Sequence, residues 1–272
     1  MNEWEIDRLD LDAYLERIGL AGAPAADLDA LRALHRAHHA AIPFENVDIV
    51  LGRSVEVDLE SVQDKLVRRP RGGYCFEHNL LFAAVLERLG YAVTRLAARI
   101  QPSGAGARTH MLLRVVLDGE PWLADVGFGG RLLEPLPLRA GSVSQGAWRY
   151  RLCPAGAARW LLEGGEPDGW SELYEFTLEP QRPIDYVVYN HYTSTHPRSP
   201  FVGQVVALRT EPDVRYALRG TQLTTTRPDG AADSAGVDLD DLPGVLADRF
   251  GVGLDPGEQA ALRHAHATAQ LS

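Results

Sequence analysis

The hydrophobic period of this chain changes at Gly90, and that change limits what it can fold into. Up to that glycine, apolar residues recur at helical spacing. In "LDLDAYLERIGLAG", Leu11, Leu15 and Ile18 share one face and Gly19 ends the run. "ADLDALRALHRAHHAAIPFEN" repeats the pattern with Leu28, Leu31 and Leu34 behind Asp27, a side chain suited to capping, and Pro43 bounds it. "DLESVQDKLVRRP" offers Asp58 as a cap and stops before Pro70. "CFEHNLLFAAVLERLG" sets Leu81, Val85 and Leu89 one turn apart, with Gly90 placed to close the helix.

Beyond Gly90 the apolar residues alternate. "YAVTRLAARI" reads as a strand, and "HMLLRVVLDGEPWLADVGFG" as a hairpin whose arms flank Asp118-Gly119, a pair suited to a type I′ turn. "AWRYRLCP", "ARWLLEGG" and "SELYEFTLEP" continue at regular spacing, which predicts a sheet or barrel of about six strands. "RPIDYVVYNHYTSTHP" predicts a helix. "FVGQVVALRT", "VRYALRG" and "TQLTTTRPDG" predict three further strands, with "RPDGAADSAG" as a linker. "DLDDLPGVLADRFGVGLDPGEQAALRHAHA" predicts two helices, the second opened by Asp255, Pro256 and Glu258. Helices, then antiparallel strands, then a mixed tail make an α+β chain rather than a doubly wound one. At 272 residues and 45% hydrophobic, it can bury a substantial core.

Within "RGGYCFEHN", Cys75 stands at the first turn of a helix, where backbone N–H groups and the helix dipole favour an anionic sulfur. Gly72 and Gly73 are expected to let the backbone bend and leave that sulfur accessible. A thiolate needs a proton partner, usually a histidine held by a third group. The hairpin supplies both. The turn sets Leu117 opposite Glu120 and, counting outward, His110 opposite Gly127. Asp125 then lies two positions along, on the same face as His110. Periodicity alone does not bring Cys75 to this pair.

"RGGYCFEHN", "THMLL" and "DVGFG", in this order, resemble three motif blocks of the arylamine N-acetyltransferases. "IPFEN" at 42–46 and "SPFVG" at 199–203 resemble two more. The likeness runs from about residue 5 to 260 and is densest from 42 to 130. It implies a helical bundle over 1–90, an antiparallel β-barrel over 91–190 and an α/β lid over 191–272, around a Cys-His-Asp core like that of cysteine proteases. It also implies ping-pong acetyl transfer from acetyl-CoA to an arylamine or arylhydrazine, without a metal. By position, Cys75 becomes the nucleophile, His110 the base and Asp125 the group that orients the imidazole. Tyr74, Phe128 and Phe201 match pocket-lining aromatics, Thr109 and Gly127 match positions near the pantetheine arm, and Glu45 with Arg71 matches a structural ion pair. His78 stands where the family varies, and Met111 replaces a residue that is bulkier and polar in many bacterial members; neither touches the triad. An amide synthase that cyclises or releases a polyketide thioester would use the same triad, and the blocks leave that alternative open, as they leave the acceptor amine, the acyl length and the oligomeric state.

Net charge is -10, which argues against a nucleic-acid partner. The apolar run from Leu80 stops at Glu87, too short for a bilayer, and "MNEWEIDRLDLD" lacks a basic segment followed by an apolar one. These features predict a cytoplasmic protein whose two cysteines stay reduced. Zinc on Cys75, His78 and His110 would lack a second thiolate or a close histidine pair. Cys153 is expected to be inert. His35, His38 and His39 are expected along a helix face, His264 and His266 on a solvated helix, and Arg68, Arg69 and Arg71 on the surface.

Overall fold

The computed structural model describes residues 3–103, 106–156 and 158–269. The chain begins with α1 (Leu11–Arg17), α2 (Leu28–Ala41), the two-residue strand β1 (Phe44–Glu45), α3 (Val47–Val50), α4 (Leu59–Leu66) and α5 (Cys75–Arg88). Asp10, Asp27 and Asp58 each accept a backbone N–H three residues on, opening α1, α2 and α4. Gly19 and Gly90 follow α1 and α5 at φ +74° and +94°, a left-handed conformation that terminates a helix without a Cβ clash. Every residue of α5 from Cys75 to Leu86 is buried. A helix enclosed on all sides needs neighbours all round; here α4 and the strands of the central sheet supply them.

The central sheet is built from β2 (Ala92–Ile100), β3 (Arg108–Leu117), β4 (Glu120–Ala124), β5 (Leu136–Pro137), β6 (Gly141–Gln145), β7 (Trp148–Pro154), β8 (Arg159–Glu166) and β9 (Gly169–Thr177). It is wholly antiparallel, in the order β5-β4-β3-β2-β9-β8-β7-β6. Its edge strands β5 and β6 are joined by Leu138–Ala140, so the sheet curls into a nearly closed barrel. The sheet thus has eight strands where six were expected. The additions are β5, two residues long, and β6, a polar and mostly exposed "GSVSQ"; neither carries an apolar alternation.

The β3–β4 hairpin holds the expected register, with Leu117 opposite Glu120 and Leu113 opposite Ala124. Asp118 and Gly119 both have positive φ, as a type I′ turn requires. Met111, Leu113 and Val115 face the helices, whereas Leu112 and Leu123 fill the barrel interior. The hairpin is therefore the wall shared by two cores.

After α6 (Pro183–Thr195), strands β10 (Val206–Thr210), β11 (Arg215–Arg219), β12 (Gln222–Thr226) and β13 (Ala232–Gly236) form a second antiparallel sheet, order β1-β10-β11-β12-β13. It packs with α7 (Leu242–Phe250) and α8 (Pro256–Ala269) around Val205, Ala207, Leu218, Leu246 and Phe250. The "RPDGAADSAG" stretch is not a linker: it makes the β12–β13 turn and the whole of β13, whose residues are all exposed and so give no apolar signal. A division at 190 falls inside α6, and β1 from the helical region belongs to this second sheet. Among the described residues, no helix is long and apolar enough to cross a membrane.

Candidate active site

Cys75 opens α5, and the loop before it is packed too tightly for side chains. A Cβ on Gly72 would lie 1.8 Å from the Pro43 carbonyl oxygen, and one on Gly73 would lie 2.4 Å from Glu77 Oε2. Neither glycine has a positive φ. They serve close approach rather than the expected bend, and the sulfur is not left open: Cys75 is 4% exposed. Glu77 accepts the Tyr74 N–H at 3.0 Å, fastening the helix start.

The hairpin delivers the other two groups, by a route the ideal register does not describe. Pairing with β2 runs from Ala98–His110 to Arg99–Arg108, so Thr109 is an extra, bulged residue. A bulge re-aims its neighbours; here the Thr109 carbonyl accepts from the Cys75 thiol at 3.5 Å, and His110, the next residue, lies close enough to that sulfur to be influenced by it electrostatically. The β3–β4 ladder ends at Ala124, so Asp125 does not pair across the hairpin but turns in from the loop that follows. Its Oδ2 stands 2.6 Å from His110 Nε2.

Asp125 is nearly fully buried and accepts from four donors. His110 Nε2 and the Tyr174 hydroxyl, at 2.9 Å, reach Oδ2; Asn79 Nδ2, at 2.9 Å, and the Gly127 N–H, at 3.1 Å, reach Oδ1. Burial pushes its pKa up, but the His110 charge and these bonds outweigh burial and hold it below the usual carboxylate range. For His110, burial opposes protonation, yet the Asp125 charge, the Asp125 hydrogen bond and Cys75 together raise its pKa well above the ordinary histidine value. An imidazolium is thereby stabilised next to the sulfur.

Asn79 and Tyr174 escaped the sequence reading. Asn79 sits one turn after Cys75 on α5, and it also bonds the Met111 carbonyl and the Val126 N–H. That polar i, i+4 partner of the cysteine, at the edge of the apolar run that begins at Leu80, was the available signal. Tyr174 lies inside a strand with nothing in its local pattern to separate it from core aromatics. Gly127 is required where it stands: a Cβ there would meet Asn79 Nδ2 at 2.6 Å and the Cys75 Cα and carbonyl oxygen at 2.8 Å. Thr109 and Gly127 thus both touch the cysteine.

Behind α5, His38 and His78 form a chain whose protons can be ordered. His78 Nε2 faces the Pro43 and Gly73 carbonyls, which only accept, so it carries hydrogen and Nδ1 accepts. His38 Nε2, 2.9 Å from that Nδ1, must then donate, and His38 Nδ1 accepts from the Tyr14 hydroxyl at 2.8 Å. Both imidazoles are neutral. Burial is the main cause of their low pKa values, His78 falling to about 4. Both nitrogens of His78 point away from the cysteine into these bonds. His35 is also fully buried, whereas His39 is half-buried and reaches the Thr210 carbonyl. His266 is buried, against expectation, because α8 turns it onto the protein; His264 is exposed.

Beneath the cysteine loop, Arg71 is buried rather than solvated. It meets Glu45 at 3.0 Å, Glu258 at 3.1 Å and Asp48 at 3.2 Å, so the Glu45–Arg71 pair is part of a network, which Lys65 joins through Asp48 and Glu77. Arg68 and Arg69 are exposed, beside Glu60 and Asp64. Cys153 is half-buried with its thiol toward Glu163; burial and that carboxylate push its pKa up.

The aromatics fall into two groups. Phe128 lies edge-on to His110 and Tyr174, with ring centres 5.0 and 4.9 Å away. Tyr74 and Phe201 meet edge-on at 5.6 Å, and Phe201 also contacts Phe44. Phe128 and Phe201 keep exposed surface, but Tyr74 is fully buried and donates its hydroxyl to Asn190. Asn46 ties the two outer motif blocks together by bonding the Phe201 and Gln204 carbonyls and the Val206 N–H.

A cysteine on an enclosed helix, beside a histidine from a β-hairpin and an aspartate from the loop that follows it, places the molecule among Cys-His-Asp proteins of mixed α+β architecture. Residues 27–259 match the sequence profile described as N-acetyltransferase. The chain is 43% identical over 261 residues to the arylamine N-acetyltransferase of Mycolicibacterium smegmatis, covering 90% of this chain and 93% of that one. With the Escherichia coli K12 arylamine N-acetyltransferase it shares 38% identity over 252 residues, 90% of this chain and 89% of the relative. The Nocardia farcinica arylamine N-acetyltransferase structure superposes with a TM-score of 0.89 at 44% identity, over 96% of this chain and 95% of that one. The Mycobacterium marinum enzyme in complex with CoA gives 0.88 at 39% identity, over 96% and 99%. The chain belongs to the arylamine N-acetyltransferase family, a family of acyltransferases.

Proposed function

We propose that this protein transfers an acetyl group from acetyl-CoA to the nitrogen of an arylamine or arylhydrazine, through an acetyl-cysteine on Cys75. The observation that carries the reading is the buried His110–Asp125 pair, 2.6 Å apart, set beside Cys75, whose thiol bonds the Thr109 carbonyl next to His110. The Cys75 thiolate attacks the thioester carbonyl, and CoA leaves as the thiol with the proton of the His110 imidazolium. The amine then attacks the acetyl-cysteine, His110 takes a proton from its nitrogen, and the sulfur departs as thiolate, restoring the starting pair. Asp125 holds the ring and stabilises its charge. Relatives named for arylamines and a CoA-bound neighbour support both substrates.

The pocket is assigned to Phe128 and Phe201, with Tyr74 behind Phe201, and the pantetheine arm to the surroundings of Thr109 and Gly127. Aromatic faces gain roughly 0.5–1.5 kcal/mol per pair by stacking on an aryl ring. An arylamine is also neutral at pH 7, whereas an alkyl amine must shed a proton and its hydration. The reaction is assigned to the cytoplasm, where Cys75 stays reduced.

The test is single-turnover acetylation. Acetyl-CoA without amine should release one equivalent of CoA and leave the acetyl group on the Cys75 peptide, and Cys75→Ala should release none. Acetyl transfer persisting in Cys75→Ala would overturn the reading. Phe201→Ala should weaken aryl acceptors and spare the acetylation step; equal rates for an arylhydrazine and an aliphatic amine of similar size would remove the aromatic pocket.

A further inference from the structure

His35 is a buried, titratable group that the reaction above does not use. It lies on α2, has no exposed surface, and packs edge-on against Phe82 of α5. Its Nδ1 is 3.1 Å from the Leu133 carbonyl oxygen. Its Nε2 is 3.3 Å from the backbone nitrogen of Asp125. A carbonyl can only accept and an N–H can only donate, so one state satisfies both: a neutral ring with hydrogen on Nδ1 and the lone pair of Nε2 turned to Asp125.

We propose that His35 is a positioning residue for the acetyl transfer, fixing the backbone of Asp125 through its N–H so that the carboxylate is held toward His110. This inference rests on the function proposed above. Asp125 sits just past the end of β4, where the hairpin ladder no longer holds its backbone. The carboxylate has four donors, but the main-chain N–H of Asp125 reaches across to α2 for its partner. The titratable groups around the pair are His39 on α2, Asp125 itself, and, through its carboxylate, His110 on β3 and Tyr174 on β9. Burial, with His39, lowers the His35 pKa to about 3, so the lone pair stays available at neutral pH. A protonated His35 would turn an N–H against the N–H of Asp125.

Two substitutions divide the two nitrogens of the ring. In side-chain bond count, an Asn amide reaches the place of Nδ1 and a Gln amide that of Nε2. His35→Asn keeps a donor for the Leu133 carbonyl and leaves the Asp125 N–H unpartnered; His35→Gln offers that N–H an oxygen and gives up the Leu133 bond. The readouts are kcat, KM for acetyl-CoA, and the NMR titration of the His110 ring in the free enzyme. His35→Asn should lose about tenfold in kcat with little change in KM, the size expected for an unsatisfied buried donor. Its His110 midpoint should fall by about one pH unit as the carboxylate drifts. His35→Gln should lose several-fold less and keep the midpoint. The proposal is overturned if both variants leave the midpoint at the wild-type value, or if His35→Gln is damaged as much as His35→Asn. The titration needs no substrate, so it decides the positioning role even if the wild-type protein fails to transfer acetyl groups to arylamines.

Discussion

Two sides of α5 each hold imidazoles out of water, with opposite results. On one side His110 is driven toward its charged form; on the other, His78 and His38 are held neutral. Their burial is nearly the same, at 2% exposure or less. Burial lowers a histidine pKa in every case, so it cannot explain the difference. The partner does. His110 has a carboxylate 2.6 Å away, whereas His78 and His38 find only carbonyls, a hydroxyl and each other. A charge pair about 4 Å apart is worth roughly 4 kcal/mol at an effective dielectric of 20, about three pH units, enough to reverse a burial penalty of ordinary size. Histidine chemistry beside this helix is decided by where the carboxylates are.

The largest way to break that contrast is to take the carboxylate away. Asp125→Asn should make His110 behave like His78, dropping its NMR midpoint to or below the ordinary histidine value. Transfer should fall by at least about a hundredfold; the comparable change in a serine-protease triad costs about 10⁴. Near-normal turnover with an unchanged pH profile would remove Asp125 from the mechanism.

The second expectation is a pH dependence of stability. His35, His38 and His78 have lowered folded pKa values, so they favour the folded state above their unfolded value near 6.5, and that contribution is lost as pH falls toward about 4. The slope contributed is up to about 1.4 kcal/mol per pH unit for each. Asp125 adds loss of the same sign only below its unfolded value near 4. His110, raised, contributes fully below about 6.5 and loses that contribution as pH climbs through its folded value. Urea melts at pH 7 and pH 4.5 measure the acid limb; equal stability at both would show that these rings are not held neutral.

Smaller effects sharpen the comparison locally. Gly127→Ala should cost about 1–3 kcal/mol in thermal or urea unfolding, because its methyl group meets Asn79 and the Cys75 backbone. It should also slow acetylation of Cys75 by pushing the Asp125 loop off α5. His38→Phe keeps ring volume but strands the Tyr14 hydroxyl and His78 Nδ1, for about 1–2 kcal/mol. It should reduce the acid slope while changing turnover less than about threefold, since it leaves the Cys75 side of α5 intact. A His38→Phe variant as inactive as Asp125→Asn would erase the distinction between the two sides.

Signals that act within a few residues of chain were readable in advance. The Asp caps of α2 and α4, the glycine stops after α1 and α5, and the hairpin register set by Asp118-Gly119 all follow from local backbone chemistry. Strands β5, β6 and β13 were not readable, because an edge strand that is short or exposed carries no apolar alternation. The candidate site divides the same way. Cys75, His110 and Asp125 stood out by residue type, helix position and motif block. The bulge at Thr109, which brings strand and sulfur together, left no mark in the sequence.

By itself the sequence determined which residues end each helix, how the β3–β4 hairpin is registered, and which cysteine, histidine and aspartate lie where a triad could form. Only the tertiary structure decided that Asp125 enters from beyond its strand, that Asn79, Tyr174 and His35 bond it, and that His110 is driven toward its charged form while His35, His38 and His78 are held neutral. The reason is range. Capping and turn formation are settled between near neighbours in the chain, but the charge of a buried ring depends on whichever donors and carboxylates folding brings to it: Asp125 is 15 residues from His110 and 90 from His35, and His38 is 40 from His78.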